Sequence, residues 1–351
     1  MATERLIRRL TQLYEAAELA ILSAMAVQLS RASEGEDFPA SAVAGLGAVA
    51  LAARRIVKRL GRDREGEVMA VLAESHRLRS EAAASVLRTA PQRVVGTIEA
   101  TLARVDSEAA TRALANALAG RLAETDLRVL RAADDIYRRV IAEVTAQGLA
   151  GKATRRTAAQ AALDRLVGHG ITGFVDSSGR NWSLASYVEM ATRTAVHNAE
   201  RQGVIDGTRA AGRDLVMISG SPACCDLCAP WEGQVVSLDG MTTGYPTLSD
   251  AEADGVFHPG CRHTVAPYVE GLTRADYYQQ GDPERYAAEQ QQRYLERGLR
   301  QWKRREALAL DPTQAQLAQN KIGEWRRRLE EHVTKHDLPR EREREQISKA
   351  I

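Results

Sequence analysis

Four cysteines and two histidines are grouped in one part of the chain, and their spacing is that of a metal site. Two residues separate Cys225 from Cys228, and the same spacing separates His258 from Cys261. Each pair places two soft ligands on one tight turn, and three thiolates with one imidazole complete a common tetrahedral structural zinc site. The sequence therefore predicts a structural Zn²⁺ bound by Cys225, Cys228, His258 and Cys261.

Two further donors stand beside this set, and either Cys224 or His263 could replace a neighbouring ligand. The alternative is that the cysteines are only packed thiols or a vicinal pair. Four protein ligands leave no open position for water, so such a site would stabilise a loop-rich segment and would not perform hydrolysis. Apparent binding energies of about 10–16 kcal/mol for zinc-finger peptides indicate that one ion could organise residues 220–267.

The composition of the chain favours helices and gives no global argument for a polyanionic partner. Its 351 residues are poor in aromatic residues (5%) and carry a net charge of only +2, and alanine, leucine, arginine and glutamate are good helix formers. The longest apolar run, 42–53, is shorter than the roughly 20 residues that span a bilayer. We therefore expect no membrane span, and because no signal peptide is recognisable, synthesis in a cytoplasm without secretion.

The elements that must position the metal ligands lie in the middle of three predicted segments. Residues 1–150 have helical spacing throughout and predict a helical bundle or arm, with breaks at 34–39, 61–63 and 90–91 and a last helix from about Ser107 to Gln147. Residues 151–275 predict a β-hairpin over 171–182, a helix ended by Gly212, and a buried strand over 215–218 that leads into the cysteines.

Residues 276–351 predict a charged helical hairpin with a solvated tail. Its helices begin at Asp282-Pro283 and Asp311-Pro312, because aspartate caps helices and proline fits the first turn. The alternating charges of 340–345 predict the tail. The expected fold is thus mainly α, with a helical N-terminal region, a small α+β zinc-knuckle module and a C-terminal helical hairpin.

Four arginines of this last segment predict a positively charged helical face that could contact DNA phosphates. Residues 285–351 hold 16 basic and 11 acidic side chains. Arg293, Arg297, Arg300 and Arg304 recur at helical spacing, so they share one face of the helix. The face could instead be solvated, with glutamates of the same helix as partners.

Four stretches of the chain resemble the phage minor capsid protein type 2 family, which is related to the Mu F-like head-morphogenesis proteins. They are 172–194, the cysteine pair with Gly233 and Val235, 258–263, and 292–297 with 303–305. The resemblance covers roughly residues 150–345. It implies that Cys225, Cys228, His258 and Cys261 bind metal, and that the motif positions Asp176, Gly179, Arg180 and Trp182 are structural. At 260, where the family often has asparagine, this chain has glycine.

The resemblance also implies a role: a structural component of a tailed-phage virion, not an enzyme. It implies several copies in the capsid interior or near the portal, after assembly in the host cytoplasm. The implied partners are the portal protein, the major capsid protein and double-stranded DNA during packaging or ejection. Loss of the residues after 275 is then expected to abolish head assembly without unfolding the knuckle.

Several other protein classes share parts of this pattern. A treble-clef nuclease also pairs a Cys-x-x-Cys turn with later cysteine and histidine ligands, and His263 would then be its general base. A cellular helical adaptor with a zinc ribbon fits the composition equally well, and a toxin-like transferase fused to a head protein would need a further catalytic domain. Zinc deaminases require His-x-Glu or Cys-x-Glu upstream, and His197 and Glu200 have the wrong spacing for it.

Overall fold

The structure is a computed structural model, and it describes residues 2–88, 97–149, 154–169, 174–175, 181–182, 184–220, 224–259, 261–273 and 282–347. The helices are α1 (Ala2–Glu34), α2 (Phe38–Ala44), α3 (Leu46–Arg88), α4 (Thr97–Leu149), α5 (Arg155–His169), α6 (Leu184–Ala210), α7 (Leu248–Ala253), α8 (Pro283–Ala307) and α9 (Pro312–Lys335). The strands are β1 (Phe174–Val175), β2 (Asn181–Trp182), β3 (Leu215–Ile218), β4 (Val235–Ser237) and β5 (Val265–Pro267). The prediction of a mostly helical protein with a small β component is confirmed.

The chain forms two compact units, and each is built from discontinuous segments. Unit 1 comprises Met1–Leu10, Glu65–Gly120 and Glu189–Glu289, and unit 2 comprises the remaining residues. Several long helices contribute residues to both units. The predicted division into three contiguous domains, 1–150, 151–275 and 276–351, is not tested by these units, because the units only group residues that lie close together. It therefore remains a prediction.

The helices of unit 2 pack through apolar residues at helical spacing, with one polar cluster in their interior. Tyr14, Leu22 and Leu122 are fully buried. Beside them, the buried Arg64 guanidinium forms an ion pair with the Asp126 carboxylate. Burial raises the pKa of Tyr14 and of Asp126. Arg64 therefore stabilises the charged form of the buried Asp126 carboxylate.

Of the three breaks predicted in the N-terminal region, one is confirmed, one is wrong and one lies outside the described residues. The break at 34–39 is confirmed, and the side chain of Asp37 caps α2 by accepting a hydrogen bond from the backbone N–H of Ala40 at 3.1 Å. The break at 61–63 is wrong, since α3 continues through it. Leu60 and Arg64 are buried on either side, and their packing outweighs the roughly 1 kcal/mol cost of a helical glycine. The break at 90–91 lies outside the described residues.

Unit 1 contains the three-stranded sheet that leads into the cysteines. Its order is β4-β3-β5, and both pairings are antiparallel. The predicted strand 215–218 is confirmed as the central strand β3, and its buried residues pack against α6 and α7 in one hydrophobic cluster with Cys224, Cys228 and Cys261. The predicted hairpin is confirmed by the antiparallel pair β1 and β2.

The C-terminal helices α8 and α9 begin at the predicted Pro283 and Pro312. They pack closely where the Trp325 ring lies on Gly298, since a Cβ atom at that glycine would come within 2.0 Å of the ring. The predicted solvated tail is exposed in part, at Pro339, Arg342 and Glu343. Residues 342–345 form a 3₁₀ turn, and Glu345 is buried in an ion pair with Arg340.

One helical stretch among the described residues is long and apolar enough, by length and composition, to cross a membrane. It runs from Phe38 to Leu87, and its most apolar window has a mean hydropathy of 1.5 with 28% of the window buried. A single stretch of this kind is weak evidence for a span, because core helices of soluble proteins have the same composition. The expectation of no membrane span remains a prediction.

Candidate metal centre

The sheet brings all the candidate metal ligands to one of its ends. Because β3 and β5 are antiparallel, residues that follow β3 lie beside residues that precede β5, and Ile218 is paired with Val265. Residues that precede β4 lie at the same end of the sheet, because the backbone N–H of Gly233 donates to the Ile218 carbonyl at 3.0 Å. Residues 224–228, 232 and 258–263 therefore converge although up to 39 positions separate them.

Each pair of ligands lies on a tight turn, as its spacing predicts. The Cys225 carbonyl accepts hydrogen bonds from the backbone N–H groups of Cys228 and Ala229, at 3.1 and 3.0 Å. On the second turn, the His258 carbonyl accepts from the backbone N–H of Cys261 at 2.9 Å. Both turns thus orient their side chains toward the same space, and all four cysteines are free thiols.

The distances between donor atoms suit tetrahedral coordination. Cys228 Sγ lies 3.7 Å from Cys261 Sγ, and Cys225 Sγ lies 3.1 Å from His258 Nε2. With Zn–S near 2.3 Å and Zn–N near 2.0 Å, the S–S and S–N edges of a tetrahedral site measure about 3.8 and about 3.5 Å. The first distance already fits a zinc site, and the second would lengthen by about 0.4 Å.

The donors fall into three overlapping groups, whose ligand atoms all lie within 4.8 Å of one another. They are Cys225, Cys228 and His258; Cys228, Cys261 and His263; and Cys224, Glu232 and His263. Cys228 belongs to the first two groups and is fully buried. Three of the four predicted ligands, Cys225, Cys228 and His258, therefore share one group, while the fourth, Cys261, groups with Cys228 and the alternative ligand His263.

Each of the two histidines has one ring nitrogen near a thiol and the other near an oxygen. His263 Nδ1 lies 3.3 Å from Cys261 Sγ, and its Nε2 lies 2.7 Å from the Glu232 carboxylate, so both nitrogens have partners. His258 Nδ1 lies 3.1 Å from the Pro259 carbonyl and its Nε2 lies 3.1 Å from Cys225 Sγ, so both of its nitrogens have partners too. A metal-binding imidazole is usually oriented by a hydrogen bond from its other nitrogen to a carboxylate or a backbone carbonyl, so both histidines are oriented as a ligand would be.

The four thiols of the cluster differ in the direction in which their surroundings shift the pKa. The contact with Cys228 lowers the pKa of Cys261 to about 4, while burial raises the pKa of Cys224 to about 12. Burial also acts on Cys225, but its contact with His258 outweighs that effect and lowers its pKa. Burial disfavours the charged form of His263, yet its contacts with Cys261 and Glu232 outweigh burial and raise its pKa. The contact with Cys261 raises the pKa of Cys228. These directions favour thiolates at Cys225 and Cys261 and neutral thiols at Cys224 and Cys228.

Two features of the site were not predicted from the sequence. Glu232 is the buried carboxylate partner of His263, and Phe257, just before His258, has a left-handed backbone with φ of 63°. Arg201 stacks on the Phe257 ring, 4.2 Å from its centroid. A bulky residue in this conformation is rare, so the packing of Phe257 sets the direction of the second turn. No spacing rule in the sequence indicates either contact.

The predicted arginine face on α8 does not exist as one exposed surface. Arg304 is buried and pairs with Glu18 at 2.9 Å, and Arg300 pairs with Glu15 at 3.6 Å. Both glutamates are buried on α1, so these arginines neutralise interior carboxylates and the prediction that they face outward is wrong. Arg297 is exposed and Arg293 is half-buried.

Some motif positions implied by the resemblance lie outside the described residues. These are Asp176, Gly179, Arg180 and Gly260, while Trp182 is described only as part of strand β2. The structural roles expected for them remain predictions. The ligand turns themselves, apart from Gly260, are described in full.

The sequence comparisons with known proteins point to phage structural proteins. The sequence model of a family described as Phage minor capsid protein 2 matches residues 2–334. A "structural protein" of Lactococcus phage LL-H is 28% identical over 186 residues, which cover 50% of this chain and 50% of that relative. A "structural protein" of Lactococcus phage mv4 is 32% identical over 114 residues, which cover 30% of this chain and 93% of that relative. No solved structure matches the chain.

Proposed function

This chain belongs to the phage minor capsid protein 2 family, and from that premise we propose that it is a head component placed near the portal or on the inner capsid surface. The observation that carries this proposal is the family match over residues 2–334, which includes both units. The partners are then the portal protein and the major capsid protein, and several copies enter each virion.

Within this role, the proposed task of the metal centre is to fix the fold of the residues around it. The ligands are Cys225, Cys228, Cys261 and His258, which are the four that the sequence predicts. His258 is favoured over His263 because it completes the group that contains both cysteines of the first turn, and because its Nε2 lies nearer to a thiol, at 3.1 Å, than either nitrogen of His263 does, at 3.3 and 3.5 Å. Cys224 donates its hydrogen bond to the Cys225 carbonyl at 3.3 Å and stays outside the ligand set.

His263 is proposed to support the ligands and not to take part in a reaction. With Nδ1 directed to Cys261 and Nε2 to Glu232, it holds a thiolate ligand in place, as outer contacts of a metal site commonly do. A general base needs a nitrogen free to accept a proton from water. This arrangement disfavours the nuclease alternative, and a structural Zn²⁺ with four protein ligands leaves no position for water.

A contact with packaged DNA is proposed only for the part of α8 that is accessible. Arg297 is exposed and Arg293 is half-buried, whereas Arg300 and Arg304 are held by Glu15 and Glu18. Phosphate contacts by so few residues predict a shallow dependence of binding on salt, because each contact releases about one counterion.

The test uses virions of the phage that encodes the chain. Heads and tails are purified separately, cross-linked and analysed by mass spectrometry, and the zinc content of the recombinant protein is measured in parallel. We expect the protein in heads, cross-linked to portal or major capsid protein, with about one zinc per chain under reducing conditions. Its absence from heads would refute the proposed location, and chelator-sensitive cleavage of DNA would favour the nuclease alternative.

A further inference from the structure

Helix α2 and the first turns of α3 are apolar on two opposite faces, and only one of them is covered by the residues that the structure describes. Phe38, Ala42, Val49 and Ala53 are buried. The opposite, exposed face is formed by Ala40, Val43, Ala44, Gly47, Ala48 and Leu51. Helices that are apolar all round are normally buried all round, so this face, called here the 40–51 face, needs a cover.

The 40–51 face is continuous and includes two large side chains. Gly45 has a right-handed helical conformation, with φ of −69° and ψ of −18°, so α2 and α3 follow one helical path. Val43 is 53% exposed and Leu51 is 49% exposed. At about 1.5 Å per residue, the face extends over some 16 Å between residues 40 and 51.

Charges of opposite sign flank the two ends of the 40–51 face. Glu36 and Asp37 precede it and are exposed, and Arg54 and Arg55 follow it and are also exposed. The surface therefore runs from acidic through apolar to basic along one helix. A second copy of the same surface, turned end to end, presents the complementary order.

We propose that the 40–51 face binds a second copy of this chain in an antiparallel helix pair, with a twofold axis between Gly45 and Leu46. In that register Ala44 faces Gly47 of the second copy, and the larger Val43 faces the smaller Ala48. Leu51 likewise faces Ala40. Each large side chain thus meets a small one, as close packing between helices requires.

The same register pairs the charges. Glu36 faces Arg55 of the second copy and Asp37 faces Arg54, so four ion pairs frame the apolar contact. A twofold interface uses one surface patch twice and must be complementary to itself. Both the sizes and the charges along 36–55 satisfy that condition, and this self-complementarity is what indicates a second copy.

A lipid bilayer fits the same surface less well. Only 16 residues separate Asp37 from Arg54, whereas a helical span takes about 20. The face opposite to 40–51 is already packed in this chain, so the helix would have to leave its own core to enter a membrane. The paired face is also smaller than a standard interface of about 800 Å² per partner, so we expect a weak dimer.

Sedimentation velocity of the full chain tests the proposal. Between about 1 and about 100 µM, we expect the mass to rise from the monomer's 38.3 kDa toward twice that value. Leu51→Glu should abolish the rise. The matched control is Leu127→Glu, because Leu127 is 61% exposed on α4, and this variant should associate like the wild type. Circular dichroism checks that both variants keep their helices.

A charge exchange tests the antiparallel register. Glu36→Arg alone and Arg55→Glu alone should each weaken association about two- to fivefold, as exposed pairs do, and the double variant should recover it. Asp37 is left unchanged because it caps α2.

Three outcomes would overturn the proposal: a wild-type chain that stays monomeric, equal effects of the Leu51 and Leu127 substitutions, or no recovery in the double variant. A monomer that pellets with phosphatidylglycerol vesicles, but not after Leu51→Glu, would assign the face to lipid instead. None of these results depends on metal or on the location in the virion.

Discussion

Replacing His258 or His263 with alanine should lower zinc affinity to very different extents. His258 is the proposed fourth ligand, whereas His263 supports Cys261 and is itself held by Glu232. Loss of an outer contact of this kind typically costs 10- to 100-fold in metal affinity, which is about 1.4 to 2.7 kcal/mol. Loss of the ligand should cost more than about 100-fold, since a donor and not its support is removed.

The assay is a competition for zinc between the reduced full-length protein and a chromophoric chelator. His336→Ala is the control, because this histidine is exposed at the end of α9, and its replacement should leave the affinity unchanged. Substitution with Co²⁺ gives an independent measure, as its absorption bands report tetrahedral geometry and the number of thiolate ligands.

The reverse order of effects would refute the choice of ligand. If His263→Ala loses zinc while His258→Ala retains it, then His263 binds the metal through Nδ1 and Glu232 is its carboxylate support. Glu232→Gln would in that case also lower the affinity about 10- to 100-fold. Equal, small effects of both substitutions would mean that the thiols bind metal without either imidazole or do not bind it.

Three further predictions concern the two units. Gly298→Ala should destabilise the chain by about 1–3 kcal/mol in urea titrations, because its Cβ would overlap a tryptophan ring, whereas Gly323→Ala, which meets nothing within 4 Å, should stabilise it by about 0.5–1 kcal/mol. Asp126→Ala should cost about 3–5 kcal/mol in unfolding free energy, because it leaves the buried Arg64 unpaired, and Arg64→Leu in the same chain should recover part of that loss. Burial opposes ionisation of Glu200, but its hydrogen bonds outweigh burial and lower its pKa. The folded state therefore gains stability above pH about 4.3 and loses it as the pH falls through that lowered pKa, and Glu200→Gln should flatten this part of the stability curve.

The sequence predicts candidate metal ligands because their chemistry is local. A Cys-x-x-Cys or His-x-x-Cys turn places both donors whatever surrounds it, and the strand that precedes Cys224 is an uninterrupted apolar run. Glu232 could not be predicted in the same way. It reaches His263 only because β4 and β5 both pair with β3, and such pairing depends on the whole sheet.

The arginines of α8 show what the spacing of residues in a sequence does not predict. Their spacing establishes that they share a helical face, but it does not establish what the face meets. The decisive groups are Glu15 and Glu18 on α1, and Glu18 stands 286 positions before its partner Arg304. A local excess of basic residues therefore predicted a polyanionic partner where the chain supplies its own carboxylates.

This pairing also changes what truncation at residue 275 should do. The cut was expected to stop head assembly without unfolding the knuckle, but it also removes the arginines that neutralise Glu15 and Glu18. Breaking a buried ion pair costs about 3–5 kcal/mol, so the truncated chain should lose the N-terminal part of unit 2 as well. Arg304→Ala is the sharper variant: we expect a lower unfolding temperature with unchanged zinc content, since residues 224–263 belong to unit 1. Loss of zinc in that variant would show instead that the two units do not fold independently.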